Sequence, residues 1–439
     1  MKTKTIFISI CLLLLTSGVS AQRAWTLEQC IDTALANNRG IKQQRLMQKS
    51  KEIAYKQSKN TLLPNLNANV NQDFSFGRSL DDNYNYQNSN SRGTSFGISS
   101  GLLLFDGMKM KYNIEARKSE LLAAGADVQK VEKDIILNVS TVFLQALQNK
   151  EMLKNAENQL NITKENIERR TELIKVGKLA EGEIYELQAQ EAKEELARVQ
   201  AENNLKLSLL DLAQVMNLEN YQTLDVVVPE NLFSNELSVL SASEVYADAV
   251  QNRPEIKSAR YRLQASEKNV AIAKSEYFPK LNLNASWGTG YNNLAVNLKN
   301  PTEKYTFGNQ LKDKMATMFG LSLSIPVFDK FQTRSQVQNA RLDVENTKLE
   351  IEKVKVELRK SIEQAYYTAI AARNRWESAK KAVKANEESY RFASQKFDSG
   401  RANQYEANLA KTNLAQAILE QTQAKYEYVF RLKILELMK

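Results

Sequence analysis

Histidine is absent from this 439-residue sequence, and cysteine occurs twice. The first absence excludes histidine-dependent nucleophilic triads, imidazole acid–base chemistry and histidine-ligated metal sites. Cysteine offers little more: Cys11 falls in an apolar N-terminal run. Cys30 shares an apolar helical face with Trp25, Leu27, Ile31 and Leu35, and reads as a packed small hydrophobe. Proline is scarce, with 6 residues, and glycine numbers only 15. Long stretches therefore lack both residues that stop helices. A dense basic cluster interleaved with aromatics is also missing, so nucleic acid is not an expected partner despite a formal charge of +9. Nothing here recommends an enzyme, and no cofactor or metal is expected.

The N-terminus carries Lys2 and Lys4, then an apolar run from Ile6 to Leu15, then Val19-Ser20-Ala21. This predicts a secretory signal peptide over 1–21. The run is about half the ~20 residues that a spanning helix needs. Its removal takes two lysines and no acid, lowering the formal charge from +9 to +7. A mature chain with Cys30 alone can form no internal disulfide.

Two stretches dominate what remains. Residues 108–176 hold one glycine, Gly125, and residues 330–398 hold neither glycine nor proline. Each reads as one helix about 100 Å long at 1.5 Å rise per residue. In the second, Ile351, Val354, Leu358, Ile362, Ala365, Ala369, Ala372, Trp376, Ala379 and Val383 form a packing seam at helical spacing. Gly177 and Gly400 mark tight reversals after the long helices, and shorter helices follow over 183–216 and 404–437.

The two stretches belong to a duplication. Ala34-Leu-Ala-Asn-Asn-Arg-Gly-Ile-Lys42 matches Ala249-Val-Gln-Asn-Arg-Pro-Glu-Ile-Lys257, and Phe105-Asp106 matches Phe328-Asp329. Repeat 1 spans 22–217, an equatorial linker with a β-like run from Leu224 to Val228 spans 218–240, and repeat 2 spans 241–439. Within each, short helices lead to a proline (Pro64, Pro279), after which the apolar period changes from 3.6 to 2. Strands are expected near 64–76, 94–105, 279–291 and 316–328. Leu66, Val70, Phe96, Ile98, Leu281, Leu283, Trp287, Phe319, Leu321 and Leu323 would face lipid. Leu104, Ile325 and Val327 extend the same faces, and Asn, Ser and Gly fill the other side. A soluble sandwich sheet shows the same alternation; the long helices and the export signal favour the membrane. Residues 77–92 and 292–314 read as solvated loops.

Four strands cannot close a barrel, and open edges in lipid cost several kcal/mol per unpaired backbone group. The chain is therefore expected to oligomerise. The doubled order of elements, with LLPNLN and YFPKLN opening strands and LLLFDG and IPVFDK closing them, resembles the TolC-like outer-membrane efflux family over nearly the whole mature chain. The resemblance implies an α+β membrane protein in which long antiparallel α-helical hairpins form a trimeric α-barrel. That barrel would continue into a shared 12-strand transmembrane β-barrel, four strands per chain. It implies an outer-membrane homotrimer with a periplasmic tunnel, a periplasmic adaptor as partner and an inner-membrane pump acting indirectly.

Adaptor-docking tips map onto Val176, Gly177, Lys178, Leu179, Ser399, Gly400, Arg401 and Ala402. A periplasmic acidic gate maps onto Glu406 and Glu183. The family's second acidic position is Leu409 here, and Phe397 and Ala402 replace the tyrosine and arginine of its latch. A periplasmic coiled-coil or adaptor-like scaffold without a barrel is the alternative; the alternating strands discriminate between the two.

Overall fold

The computed structural model describes residues 23–80, 86–88, 90–178, 180–219, 224–227, 241–297 and 303–438. The expected signal peptide, most of the linker and Leu179 lie outside them. In chain order the elements are β1 (Arg23–Trp25), α1 (Leu27–Asn37), α2 (Arg39–Asn60), β2 (Asn67–Ser75), β3 (Arg78–Leu80), β4 (Tyr86–Asn88), β5 (Ser91–Phe105), α3 (Lys109–Lys175) and α4 (Gly182–Met216). After β6 (Leu224–Val226) come α5 (Ala242–Asn252), α6 (Pro254–Ser275), β7 (Lys280–Asn292), α7 (Phe307–Asp313), β8 (Ala316–Ser324), α8 (Gln332–Asp398) and α9 (Gln404–Leu437). Two compact units cut across the sequence halves: one holds residues up to 46, 126–257 and 353–439, the other 47–125 and 258–352.

The first unit is helical. Leu27, Cys30, Ala34, Val139, Phe143, Leu212 and Met216 pack into one core together with Leu224 and Val226. A second core joins Val245, Ala249, Ile256, Leu358, Ile362, Ala365 and Leu435. Under the repeat matching read from the sequence, Cys30 in the first core corresponds to Val245 in the second, Val139 to Ile362, and Leu212 to Leu435. Most of the seam expected on α8 is buried, Ile362 and Ala369 completely.

The first helix of each half, α1 and α5, starts with the same device. Thr26 accepts the Gln29 N–H while Gln29 reaches back to the Thr26 N–H, and Ser241 and Glu244 do the same before α5. These capping boxes satisfy two otherwise orphaned donors at each helix start. β1 pairs in parallel with β6, and Lys150 Nζ fixes that ladder by donating to Asp225 Oδ1 at 2.7 Å and to the Val226 carbonyl at 2.8 Å.

The second unit contains an antiparallel four-stranded sheet in the order β2-β5-β7-β8. It ends differently from the sequence expectation in three places. β8 stops at Ser324, which pairs with the first residue of β7, leaving Ile325 and Val327 beyond the strand. Pro326 follows directly and has no N–H to extend the ladder. A bulge between Leu103 and Phe105 lets Phe105, not Leu104, oppose Leu281. The expected loops also contain regular structure, since β3 and β4 pair within 77–92 and α7 forms within 292–314. Thr306 caps α7, and buried Gln310 holds it to the end of β7 by donating to the Asn292 carbonyl at 3.0 Å and accepting the Asn292 N–H at 2.9 Å.

The long helices begin slightly later than expected, because the strand-to-helix turns use left-handed residues. Gly107 and Met108 have φ of 68° and 70°, and their counterparts Lys330 and Phe331 have 55° and 62°. Asp106 Oδ2 then accepts the Met110 N–H at 2.9 Å, and Asp329 Oδ2 the Thr333 N–H at 2.7 Å. The aspartate of each Phe-Asp pair thus starts a long helix, and in the first repeat its Phe105 also ends the strand. Among the described residues, no helix is long and apolar enough to cross a membrane.

Candidate functional site

The sheet is the first candidate surface. Directly opposed residues of an antiparallel ladder share a face, so the register decides which side chains lie together. Val70 opposes Phe96, Ile98 opposes Trp287, and Leu102 opposes Leu283, which opposes Leu321. Ala285 opposes Phe319, and Leu281 opposes Leu323. Leu66 continues this face, because Asn65 exchanges hydrogen bonds of 3.1 and 2.6 Å with Gly101 and carries the pairing past the strand end. All ten residues expected to meet lipid therefore share one face. The other face carries Asn67, Asn69, Asn71, Ser95, Gly97, Ser99, Asn282, Asn284, Ser286 and Ser322, with Leu103 and Met318 as large apolar exceptions.

Little of that apolar face is covered. Phe319 is 77% exposed, Leu66 76% and Leu321 68%. The outer strands β2 and β8 each pair on one side only among the described residues. An apolar face bounded by two open edges is unstable in water and is a template for association.

The second candidate surface is the pair of helix reversals in the helical unit. At the first, the Gly177 N–H donates to Ile174 at 2.8 Å and the Lys178 N–H to Leu173 at 2.9 Å. At the second, the Gly400 N–H donates to Phe397 at 2.9 Å and the Arg401 N–H to Lys396 at 2.8 Å. Both are Schellman caps with a left-handed glycine, at φ of 73° and 70°. A Cβ on either glycine would meet nothing within 4 Å, so conformation alone requires glycine there. Val176, Lys178, Ser399 and Arg401 are exposed, and Ala402 is half-buried.

The gate candidates fall just beyond these caps. Glu406 is exposed in the first turn of α9, and its N–H donates to the Asn403 side-chain oxygen at 2.9 Å. An acid there also complements the helix dipole. Glu183 lies in the first turn of α4; its side chain is outside the described part of the structure. Leu409 is exposed. Where the resemblance leads one to expect a tyrosine hydroxyl, Phe397 instead lies under the Arg170 guanidinium, 5.1 Å from the ring centre. This cation–π contact links α3 to α8, and sequence alone gave no sign of it.

The sequence reading also missed a polar cluster in the same helices, in which Thr163 and Glu194 are buried and Lys411 is half-buried. Thr163 on α3 is fully buried and accepts from Lys411 Nζ on α9 at 3.0 Å. Glu194 on α4 is buried nearby, with Oε1 receiving Gln190 at 2.8 Å and Gln159 at 3.2 Å. Neither Lys411 nor Glu194 interrupts a recognisable motif, and only the packing of separate helices makes them unusual. Burial holds the Lys411 ammonium below the usual lysine value, and Glu194 opposes that shift. The Cys30 thiol is pushed up to about 12 by burial and, secondarily, by Glu28. Metal-ligating clusters are absent among the described residues.

The family model described as outer membrane efflux protein matches residues 30–218 and 245–437. Protein CyaE of Bordetella pertussis is 24% identical over 270 residues, covering 62% of this chain and 54% of that protein. Outer membrane protein TolC of Vibrio cholerae is 22% identical over 228 residues, covering 52% and 50%. The chain thus matches about half the length of these curated relatives. The CmeC outer membrane channel of Campylobacter jejuni superimposes with a TM-score of 0.76 at 17% identity, covering 94% of this chain and 85% of that one. The open-state MtrE outer membrane channel of Neisseria gonorrhoeae gives 0.74 at 19%, covering 96% and 93%. These structures share the fold of this chain. With the family model matched across both halves, the chain belongs to the outer membrane efflux protein family.

Proposed function

We propose that this outer-membrane protein is the passive exit duct of a tripartite efflux or type I secretion system. Three copies join the bare edges of β2 and β8 into a 12-strand barrel, and their paired hairpins line a periplasmic tunnel. The tips around Gly177 and Gly400 meet a periplasmic adaptor, and an inner-membrane pump supplies the energy. The observation that carries this reading is the sheet register: ten apolar side chains share one face, amides, hydroxyls and glycines make up most of the other, and both edges are open among the described residues. Lipid outside and water inside is the environment that satisfies both faces. Glu406 and Glu183 are the acids proposed for the periplasmic entrance, where like charges held close together attract cations.

Arginine substitutions on opposite faces test the proposal. An arginine at the bilayer midplane of a β-barrel costs about 2–4 kcal/mol. Leu283→Arg and Leu321→Arg should therefore reduce recovery from a purified outer-membrane fraction, whereas Ser322→Arg, on the polar face, should not. Equal recovery of all three would remove the lipid-facing assignment and the channel with it.

A further inference from the structure

Residues 292–314 read from the sequence as a solvated loop, yet part of them lies against the sheet's apolar face. β8 begins at Ala316, opposite Gly288, so residues 289–292 of β7 have no strand on that edge among the described residues. α7 occupies the gap. Gln310 stands in for a ladder partner by bonding both backbone groups of Asn292. Two side-chain contacts decide which face the helix covers. Thr289 opposes Phe96 and Tyr291 opposes Thr94, which puts both on the face of Ile98, Trp287 and Leu321. The Thr289 hydroxyl donates to the Leu311 carbonyl at 2.6 Å, and the Tyr291 and Phe307 rings meet with centroids 5.3 Å apart. α7 therefore rests on the apolar face, at the end of the sheet opposite to Phe105 and Ser324, where the chain turns toward α3 and α8.

The side chains around it suit a boundary better than bulk water. Phe307 is 47% exposed, and Met315, just past the helix, is 57% exposed. Phe74, exposed on the same face, opposes the exposed Arg92. Lys312 is exposed, and Lys314 Nζ donates to Gln310 Oε1 at 2.7 Å. The acid of the helix, Asp313, receives the Tyr305 hydroxyl at 3.2 Å. Exposed rings and a thioether beside exposed cations fit the layer where acyl chains give way to headgroups. We propose that α7 is an outer-leaflet interfacial anchor. Phe307 and Met315 lie at the acyl boundary, and Lys312, Lys314 and Arg92 meet the phosphates of anionic lipid headgroups. This rests on the apolar face meeting lipid, as proposed above, and adds that a segment of the second repeat folds back into that lipid. The matching interval of the first repeat carries the β3–β4 hairpin instead.

Depth-dependent fluorescence quenching tests the anchor. A bimane label on Gly308→Cys, an exposed position with open space around it, is compared with the same label on Leu321→Cys within β8. Cys30, being fully buried, stays unlabelled. The full-length protein is reconstituted in vesicles of phosphatidylcholine and phosphatidylglycerol carrying a nitroxide at a shallow or a deep acyl position. The label at 308 should be quenched at least twofold more by the shallow nitroxide, and the label at 321 at least twofold more by the deep one. Deep quenching at 321 with none at 308 would overturn the anchor and leave the lipid-facing sheet standing. Absence of quenching at both would overturn both. Moving the shallow nitroxide from phosphatidylcholine to phosphatidylglycerol should at least double quenching at 308, and Arg92→Gln combined with Lys312→Gln should abolish that preference. Equal quenching by the two carriers with Arg92 and Lys312 in place would overturn the headgroup contact.

Discussion

Gly107→Ala should be the most damaging of the simple glycine substitutions, and the structure says by how much. Gly107 adopts φ of 68°, where an L-residue pays roughly 1–2 kcal/mol. Its space is also taken: an added Cβ would lie 2.7 Å from the Ser275 carbonyl oxygen and 2.7 Å from the Phe278 Cβ. Neither neighbour is a flexible side-chain end, and the Ser275 carbonyl is tied by the Phe278 N–H at 3.1 Å. Relief requires moving the end of α6, an overpacking cost of about 1–3 kcal/mol. The sum is about 2–5 kcal/mol. Two internal controls separate the contributions. Gly400 has φ of 70° with open space around it, so Gly400→Ala should cost only the conformational share, about 1–2 kcal/mol. Lys330, the counterpart of Gly107, already bears a side chain at φ of 55°, and Lys330→Gly should stabilise by about 1 kcal/mol or be neutral. Denaturant unfolding in detergent, followed by helical circular dichroism, gives the three values. A Gly107→Ala cost no larger than that of Gly400→Ala would refute the steric argument.

Three further outcomes follow from the sites. Cys30 is fully buried with its thiol raised to about 12, so thiol reagents at pH 8 should label it only on unfolding. Rapid labelling of the folded protein would contradict its place in the core. Its raised value also makes its contribution to stability complete below about pH 9 and progressively lost above it, as the unfolded thiol ionises first. Glu406→Gln should lower cation preference or multivalent-cation block in bilayer recordings, since it removes one carboxylate per chain from the proposed entrance. Unaltered selectivity would leave Glu406 as a helix-start residue only.

Much of the architecture is legible in the sequence because its punctuation is strong. The glycine- and proline-poor stretches can only be helices, and Pro64 and Pro279 separate helical from alternating periodicity. The alternation from Leu66 to Val70 and from Leu281 to Trp287 fixes which residues share a face before any register is known. What stayed hidden involves short elements or distant pairs. β1 and β6 are three residues each and meet across some 200 positions, too short for any periodic signature. The capping boxes Thr26–Gln29 and Ser241–Glu244 were readable as Thr-x-x-Gln and Ser-x-x-Glu before apolar runs. The bulge at Leu104 and the left-handed Lys330 and Phe331 depend on backbone geometry that residue type does not dictate. Lys411, Thr163 and Glu194 look like ordinary helix-surface residues until three helices are packed together.

The central claim is that an incomplete sheet is completed by identical copies in the outer membrane. The most direct measurement is the mass of the detergent-extracted protein by light scattering, taken from a purified outer-membrane fraction. Three chains per particle is the predicted result, because three four-stranded sheets close the barrel. A monomer or dimer, absent from that fraction and soluble without detergent, would mean that the alternating strands form a water-facing sheet, and the duct would be contradicted.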